Sequence, residues 1–252
     1  MPALRPLALP AEHGGWSMLF EPIILALIVA PSLPGGLVAA GAVFAFLARH
    51  PLKLFVQDRR RGRQFARTRI CAWLAIGYAG ASTMALFAAV AMAGSRVLLP
   101  LAAGGLFALT QFTLDVRQRG RTFIAELCGA SATATVASAI ALASHQSWEM
   151  AVTLALLAGS LTLPATLFVR AVLRGEWRTM TVVMHGAAIV AAAALWQRGL
   201  APSTAIAVMV VLLLRAMIGL QSKTPPAARI IGSREAVWGA AAVLIIAAGY
   251  LA

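Results

Sequence analysis

WEMAVTLALLAGSLTLPATLFVRAVLRGEWRT, residues 148–179, decides the fold class of this chain. Between Met150 and Val169 it contains neither an acid nor a base. That stretch matches the ~20 apolar residues an α-helix needs to cross a bilayer core of about 30 Å. Arg170, Arg174 and Arg178 follow at once. The run is rich in Ala and Leu and shows no strict alternation, so it reads as a helix and not as a barrel strand. Backbone exposed to lipid must satisfy its own polar groups, and an uninterrupted helix does so.

The same pattern, an apolar stretch closed by basic residues, repeats outward in both directions. Stretches of near-spanning length fall at about 14–30, 35–48, 70–93, 97–113, 123–143, 148–168, 179–196, 201–220 and 235–251. The first, second and ninth are short, and joining the first two across Pro31-Ser32-Leu33-Pro34 into one hairpin that never crosses leaves eight or fewer. Of 252 residues, 61% are hydrophobic and 12% charged, with a mean hydropathy of +0.85. A soluble domain carries roughly 25% charged residues, so a lipid-facing surface is required. The expectation is an all-α membrane protein, a polytopic bundle of about nine transmembrane helices in one domain over residues 1–252. Cys71 and Cys128 fall inside spans and read as small packing residues.

The net charge is +13, from 21 basic and 8 acidic residues. Nucleic acid is not the partner this implies, because the cations sit in short segments between spans. One set of alternating segments holds Arg5; the eight cations from Arg49 to Arg69; Arg117, Arg119 and Arg121; Arg170, Arg174 and Arg178; and Arg215, Lys223, Arg229 and Arg234. The other set keeps Arg96 and Arg198, a split of 19 to 2 among the 21. By the positive-inside rule the N-terminus is expected on the cytoplasmic side of the membrane. Membrane lipids are the first partners expected, since such loops grip anionic headgroups.

Some ionisable residues sit deeper than topology requires. Arg49, His50 and Lys53 interrupt an apolar run, and helical spacing puts Arg49 and Lys53 on one face, where they repel unless an anion or a carboxylate lies between them. Snorkelling to the headgroups is the competing reading. In AEHGGWSMLFEPIIL, His13 precedes the first span and Glu21 lies inside it, so Glu21 must be neutral or paired, with Arg49, His50 or a loop Arg as partner. Glu126 and His185 enter the fifth and seventh spans, and Arg170 and Arg215 close the sixth and eighth. Asp58 precedes Arg61-Gly62-Arg63, and Asp115 precedes Arg119-Gly120-Arg121. All these groups fall in the basic half, which points to a polar cavity open on one side. Gly-rich phosphate loops, HExxH and CxxC are absent from the sequence.

EHGGW at 12–16, HPLKLFVQDRRRGR at 50–63 and TLDVRQRGR with AELCGA further on resemble the YwiC-like family of bacterial membrane proteins, over essentially the whole chain. A more distant likeness is to UbiA-type prenyltransferases, nine-helix bundles whose cytoplasmic cavity binds a prenyl diphosphate with Mg²⁺ between two Asp-rich motifs. Asp58 followed by Arg59 to Arg63 stands at the first motif, and Arg170, Arg174, Glu176 and Arg178 replace the second. Leu114-Asp115-Val116-Arg117 loosely echoes a third pattern. Single carboxylates do not build a Mg²⁺ pair. The resemblance implies a UbiA-like bundle binding an anionic, lipid-soluble ligand, and transferase chemistry on an isoprenoid or other lipid. Arg49, His50, Lys53, Asp115, Arg117, Arg121, Glu126, Arg170, His185 and Arg215 would form the anion site, and Asp58, Glu21 or His13 would act as acid, base or metal ligand. A small-anion permease and a non-catalytic partner of a membrane complex are the alternatives.

Overall fold

A computed structural model describes residues 5–9, 13–62, 65–222 and 227–252; Glu12, Arg63 and Lys223 lie outside the described residues. The elements are α1 (Arg5–Ala8), α2 (His13–Val29), α3 (Leu33–Arg60), α4 (Ala66–Ala93), a 3₁₀ turn (Ser95–Val97), α5 (Leu98–Val116), α6 (Phe123–Ala143), α7 (Trp148–Arg174), α8 (Arg178–Gln197), α9 (Ser203–Leu220) and α10 (Ala228–Leu251). There is no strand among the described residues. Eight helices, α3 to α10, are long and apolar enough to cross a membrane, and α2 is a shorter apolar helix.

α2 and α3 are separate helices because Ser32 caps the second one. Its backbone is extended and its hydroxyl accepts from the Gly35 N–H at 2.9 Å. Ser144 at the end of α6 lies 2.7 Å from the Ser32 hydroxyl and donates to the Ala30 carbonyl at 2.6 Å, so one serine ties three helix ends together.

α3 differs from the sequence reading. The apolar pattern ends near residue 48, yet the helix runs through Pro51 to Arg60. The extension is stabilised from outside. Arg49, Lys53 and Gln57 recur every fourth residue on one face, and this stripe lies along the end of α5. There Lys53 donates to Asp115 at 2.7 Å, and Gln57 donates to the Val116 carbonyl at 3.4 Å. α4 also begins earlier than the apolar pattern. The Asp58 carboxylate, 1% exposed, accepts from Arg67 Nε at 3.2 Å, Arg67 Nη2 at 2.9 Å and the Thr68 hydroxyl at 2.8 Å. Thr68 in turn accepts from the Phe65 N–H, capping α4. Gly62, at φ +64°, makes the turn that lets this hairpin close.

The two halves of the bundle are built differently. In the half that carries Arg96 and Arg198, eight successive residues of α6 from Val136 to Ala143 are buried. They pack with Leu25, Val38, Leu154, Leu157, Ala192, Ala205 and Ile246 in one apolar core. A helix buried all round is central, and its alanines allow close helix approach. Cys71 is buried and free, and Cys128 is half-buried and free. The half that carries the cations is hollow.

Candidate functional site

The hollow is a cavity of about 730 Å³ walled by α2, α3, α5, α6, α7, α8, α9 and α10. It runs from Arg174 at the end of α7 down to Ser160, Leu161 and Thr162 in the middle of that helix. Twelve residues separate Thr162 from Arg174, a depth of about 18 Å at the α-helical rise. Beyond that floor begins the apolar core, which contains Leu161.

Nine of the residues singled out in the sequence meet here: Glu21, Arg49, Lys53, Asp115, Arg121, Glu126, Arg170, His185 and Arg215. Three do not line it. Asp58 closes the α3–α4 hairpin, its carboxylate engaged by Arg67 and Thr68. The His50 Nε2 donates to the Pro6 carbonyl at 3.1 Å, and Arg117 is exposed. His13 begins α2, and its side chain lies outside the described residues.

Asp115 is the countercharge that the Arg49–Lys53 pair demands, accepting from Lys53 at 2.7 Å and from Arg49 at 3.4 Å. Its carboxylate also rests against Gly120, where any Cβ would displace it. That contact accounts for the glycine in Arg119-Gly120-Arg121. On the opposite wall Arg170 donates to Glu126 at 2.9 Å, to Glu176 at 3.0 Å and to the Arg121 carbonyl at 3.1 Å. Arg174 donates to the same carbonyl at 3.2 Å. The α5–α6 turn is therefore clamped by its backbone. The Arg121 guanidinium makes no ion pair or hydrogen bond with a described residue, and Arg174 makes no ion pair with one.

Deeper, Arg215 binds Glu235 through two nitrogens at 2.8 and 2.9 Å and lies 4.1 Å from the centre of the Phe168 ring. Gly219 gives Phe168 the room for this stacking. His185 is 4% exposed, and its Nδ1 lies 2.8 Å from the Thr181 carbonyl. A carbonyl only accepts, so Nδ1 carries a proton, and in the neutral ring Nε2 keeps a lone pair.

Of the two states expected for Glu21, neutral or paired, the described residues supply no pairing. Glu21 makes no ion pair or hydrogen bond with a described residue, and its carboxyl lies against the backbone of Gly239 on α10. His50 is committed elsewhere, and Arg49 serves Asp115. Since no partner is lost, Glu21→Gln is expected to leave the unfolding temperature in detergent unchanged or raise it, because an uncompensated buried charge is unfavourable. A marked drop would show that the carboxylate has a structural role.

Six cations line the cavity, Arg49, Lys53, Arg121, Arg170, Arg174 and Arg215, and four carboxylates, Glu21, Asp115, Glu126 and Glu235. With His185 neutral, six cations against the three paired carboxylates Asp115, Glu126 and Glu235 leave +3, and an ionised Glu21 would leave +2. The sequence reading missed Arg174, Glu235, Gln57 and Gln111 as wall residues. Glu235 was placed at the start of the ninth span, whereas α10 begins at Ala228 and puts it on the second turn. No group of three His, Cys, Asp or Glu side chains able to hold a metal occurs among the described residues. The Mg²⁺ that a UbiA-type site implies does not fit this donor set, since Asp58 and Asp115 are both taken up by cations.

The family model for YwiC-like protein matches residues 9–141, more than half of the chain. The chain belongs to the YwiC-like family. The match takes in α2 to most of α6 and so covers less than the whole-chain likeness expected from the motifs. The YwiC-like portion supplies Glu21, Arg49, Lys53, Asp115, Arg121 and Glu126 to the cavity; α7 to α10 supply the rest of its charged wall. No curated protein and no solved structure matches the chain.

Proposed function

We propose that this YwiC-like protein is a single nine-span domain of the bacterial inner membrane that binds an anionic amphiphile from the cytoplasmic side, with the charged head in the basic cavity. The observation that carries this is the cavity's excess of cations, with Arg121 and Arg174 at the rim making no ion pair with a described residue. A field of that kind, between low-dielectric walls, concentrates anions. The 19-to-2 charge split supports cytoplasmic access. The apolar core that begins beneath Thr162 supports entry of a charged head from one side, because an ion does not cross apolar surroundings unaided. Binding is the reading, without metal-dependent transfer, because Asp58 and Asp115, the acids before the two Arg-Gly-Arg runs, are committed to cations. Transferase chemistry then has only the distant UbiA likeness behind it, with His185 and Glu21 as the available acid–base groups.

Inorganic diphosphate should raise the unfolding temperature of the detergent-purified protein by mass action, and less so as salt is added. Arg121→Gln with Arg174→Gln should abolish that gain. Arg229→Gln with Arg234→Gln, at exposed positions off the cavity wall, should retain it. An equal response from both double variants would mean that the cations serve only the membrane surface.

A further inference from the structure

A second hollow, of about 540 Å³ and almost wholly apolar, lies between α5, α6, α7 and α8 in the opposite half of the bundle. It adjoins the basic cavity, sharing α5, α6, α7 and α8 as walls. On α5 one stripe at four-residue spacing runs through both: Ala103 and Phe107 line the groove, Gln111 and Asp115 line the cavity. On α8 Met184 lines the groove and its neighbour His185 the cavity, so the two hollows lie on adjoining faces of that helix. Ser160 on α7 lines both hollows and marks where they meet. Pro164 sits one turn beyond and has no N–H to give the Ser160 carbonyl. The junction therefore offers a hydroxyl and a carbonyl acceptor between a charged chamber and a greasy one.

We propose that the groove holds the hydrocarbon chain of the same ligand whose head occupies the cavity, so that the ligand is a phosphate-bearing amphiphile with one long chain. The proposal rests on the anion-binding reading of the cavity. From Ser160 the groove runs to Trp148 at the far end of α7. Those twelve residues span about 18 Å at the helical rise, a little over half of a ~30 Å hydrocarbon core. A chain anchored at Ser160 therefore reaches the far interface while its head stays among the arginines. Small residues at four-residue spacing, Ala155 with Gly159 and Ala187 with Ala191, keep the groove open. Such a surface also suits a helix of a second copy. Continuity with a cationic chamber favours the amphiphile, since a docking helix has no use for that chamber.

The test uses full-length protein in phosphatidylcholine nanodiscs with three probes: inorganic diphosphate, dodecyl diphosphate and dodecanol. Dodecyl diphosphate is expected to bind about tenfold tighter than diphosphate or better, from burial of its methylenes, and dodecanol weakly. Gly159→Leu fills the groove. A Cβ there meets Leu163 and Ala134 at 3.8 and 3.9 Å, ordinary contacts that the fold accepts. This variant, and separately Ala187→Leu, should erase the chain's gain while leaving diphosphate binding intact. If diphosphate binds but the gain survives in both variants, the groove proposal fails and the cavity reading stands. If neither diphosphate nor its dodecyl ester binds, the cavity reading fails with it. Conversion of a dimer to a monomer by Gly159→Leu, read by light scattering, would assign the groove to a second copy and overturn the proposal. Should both variants misfold, dodecyl diphosphate carrying a diazirine on its last carbon decides the matter. Crosslinks within 99–107 or 148–156 support the proposal, and labelling spread over the lipid-facing exterior overturns it.

Discussion

Arg215→Met is expected to lower the unfolding free energy by about 3–5 kcal/mol, the range for removing one member of a buried ion pair. Arg215 and Glu235 expose 13% and 14% of their side chains, and Glu235 has no other cation partner among the described residues. The loss comes from stranding that carboxylate and from giving up the stacking of the guanidinium on Phe168. Changing both partners, Arg215→Met with Glu235→Leu, should restore most of the stability, because an apolar pair of similar volume removes the buried charges together. A double variant as unstable as Arg215→Met alone would mean that Arg215 acts through packing or through another partner. Thermal melts in one detergent, arranged as a double-mutant cycle, measure this.

Asp115→Ala should be the next most damaging change, at roughly 3 kcal/mol. Its side chain is 9% exposed and receives Lys53, itself 26% exposed, so the alanine leaves an ammonium in the wall without a carboxylate. Asp115→Asn keeps an acceptor for Lys53 and should lose less. Lys53→Met added to Asp115→Ala should recover part of the loss. Arg117→Gln, two residues away and exposed, should stay within about 0.5 kcal/mol of the parent. If Asp115→Ala proved as mild as Arg117→Gln, the α3 stripe would be held to α5 by something other than this carboxylate. The same contact makes Arg49 and Lys53 poor reporters of ligand binding, since neutralising both strands Asp115. Arg121 and Arg174 are the cleaner pair, because neither is ion-paired to a described residue.

Helices were legible in the sequence because hydropathy is a property of one segment at a time. The membrane class, the gathering of cations at one end and the half in which charged residues enter the spans could all be read from it. Partners could not be read, because periodicity says how deep a residue lies along its own helix and nothing about which helix stands opposite. Asp58 and Asp115 look alike in sequence, each an acid before an Arg-Gly-Arg run. Asp58 folds back on Arg67 and Thr68 of the next helix, whereas Asp115 reaches across to α3 and faces the cavity. The apolar span ends at residue 48, but packing of Arg49, Lys53 and Gln57 on α5 carries the helix three turns further. Glu21 lies beside Gly239, more than two hundred residues away in the chain, and no local signal announces that contact.

The central claim is that the basic cavity binds an anionic amphiphile. Native mass spectrometry of protein purified in mild detergent tests it most directly, by identifying the lipids that remain attached. The account predicts a stoichiometric phosphate-bearing lipid on the parent protein and on the Arg229→Gln, Arg234→Gln variant, lost from the Arg121→Gln, Arg174→Gln variant. A parent protein that carries no anionic lipid, or two double variants that carry it equally, would contradict the claim.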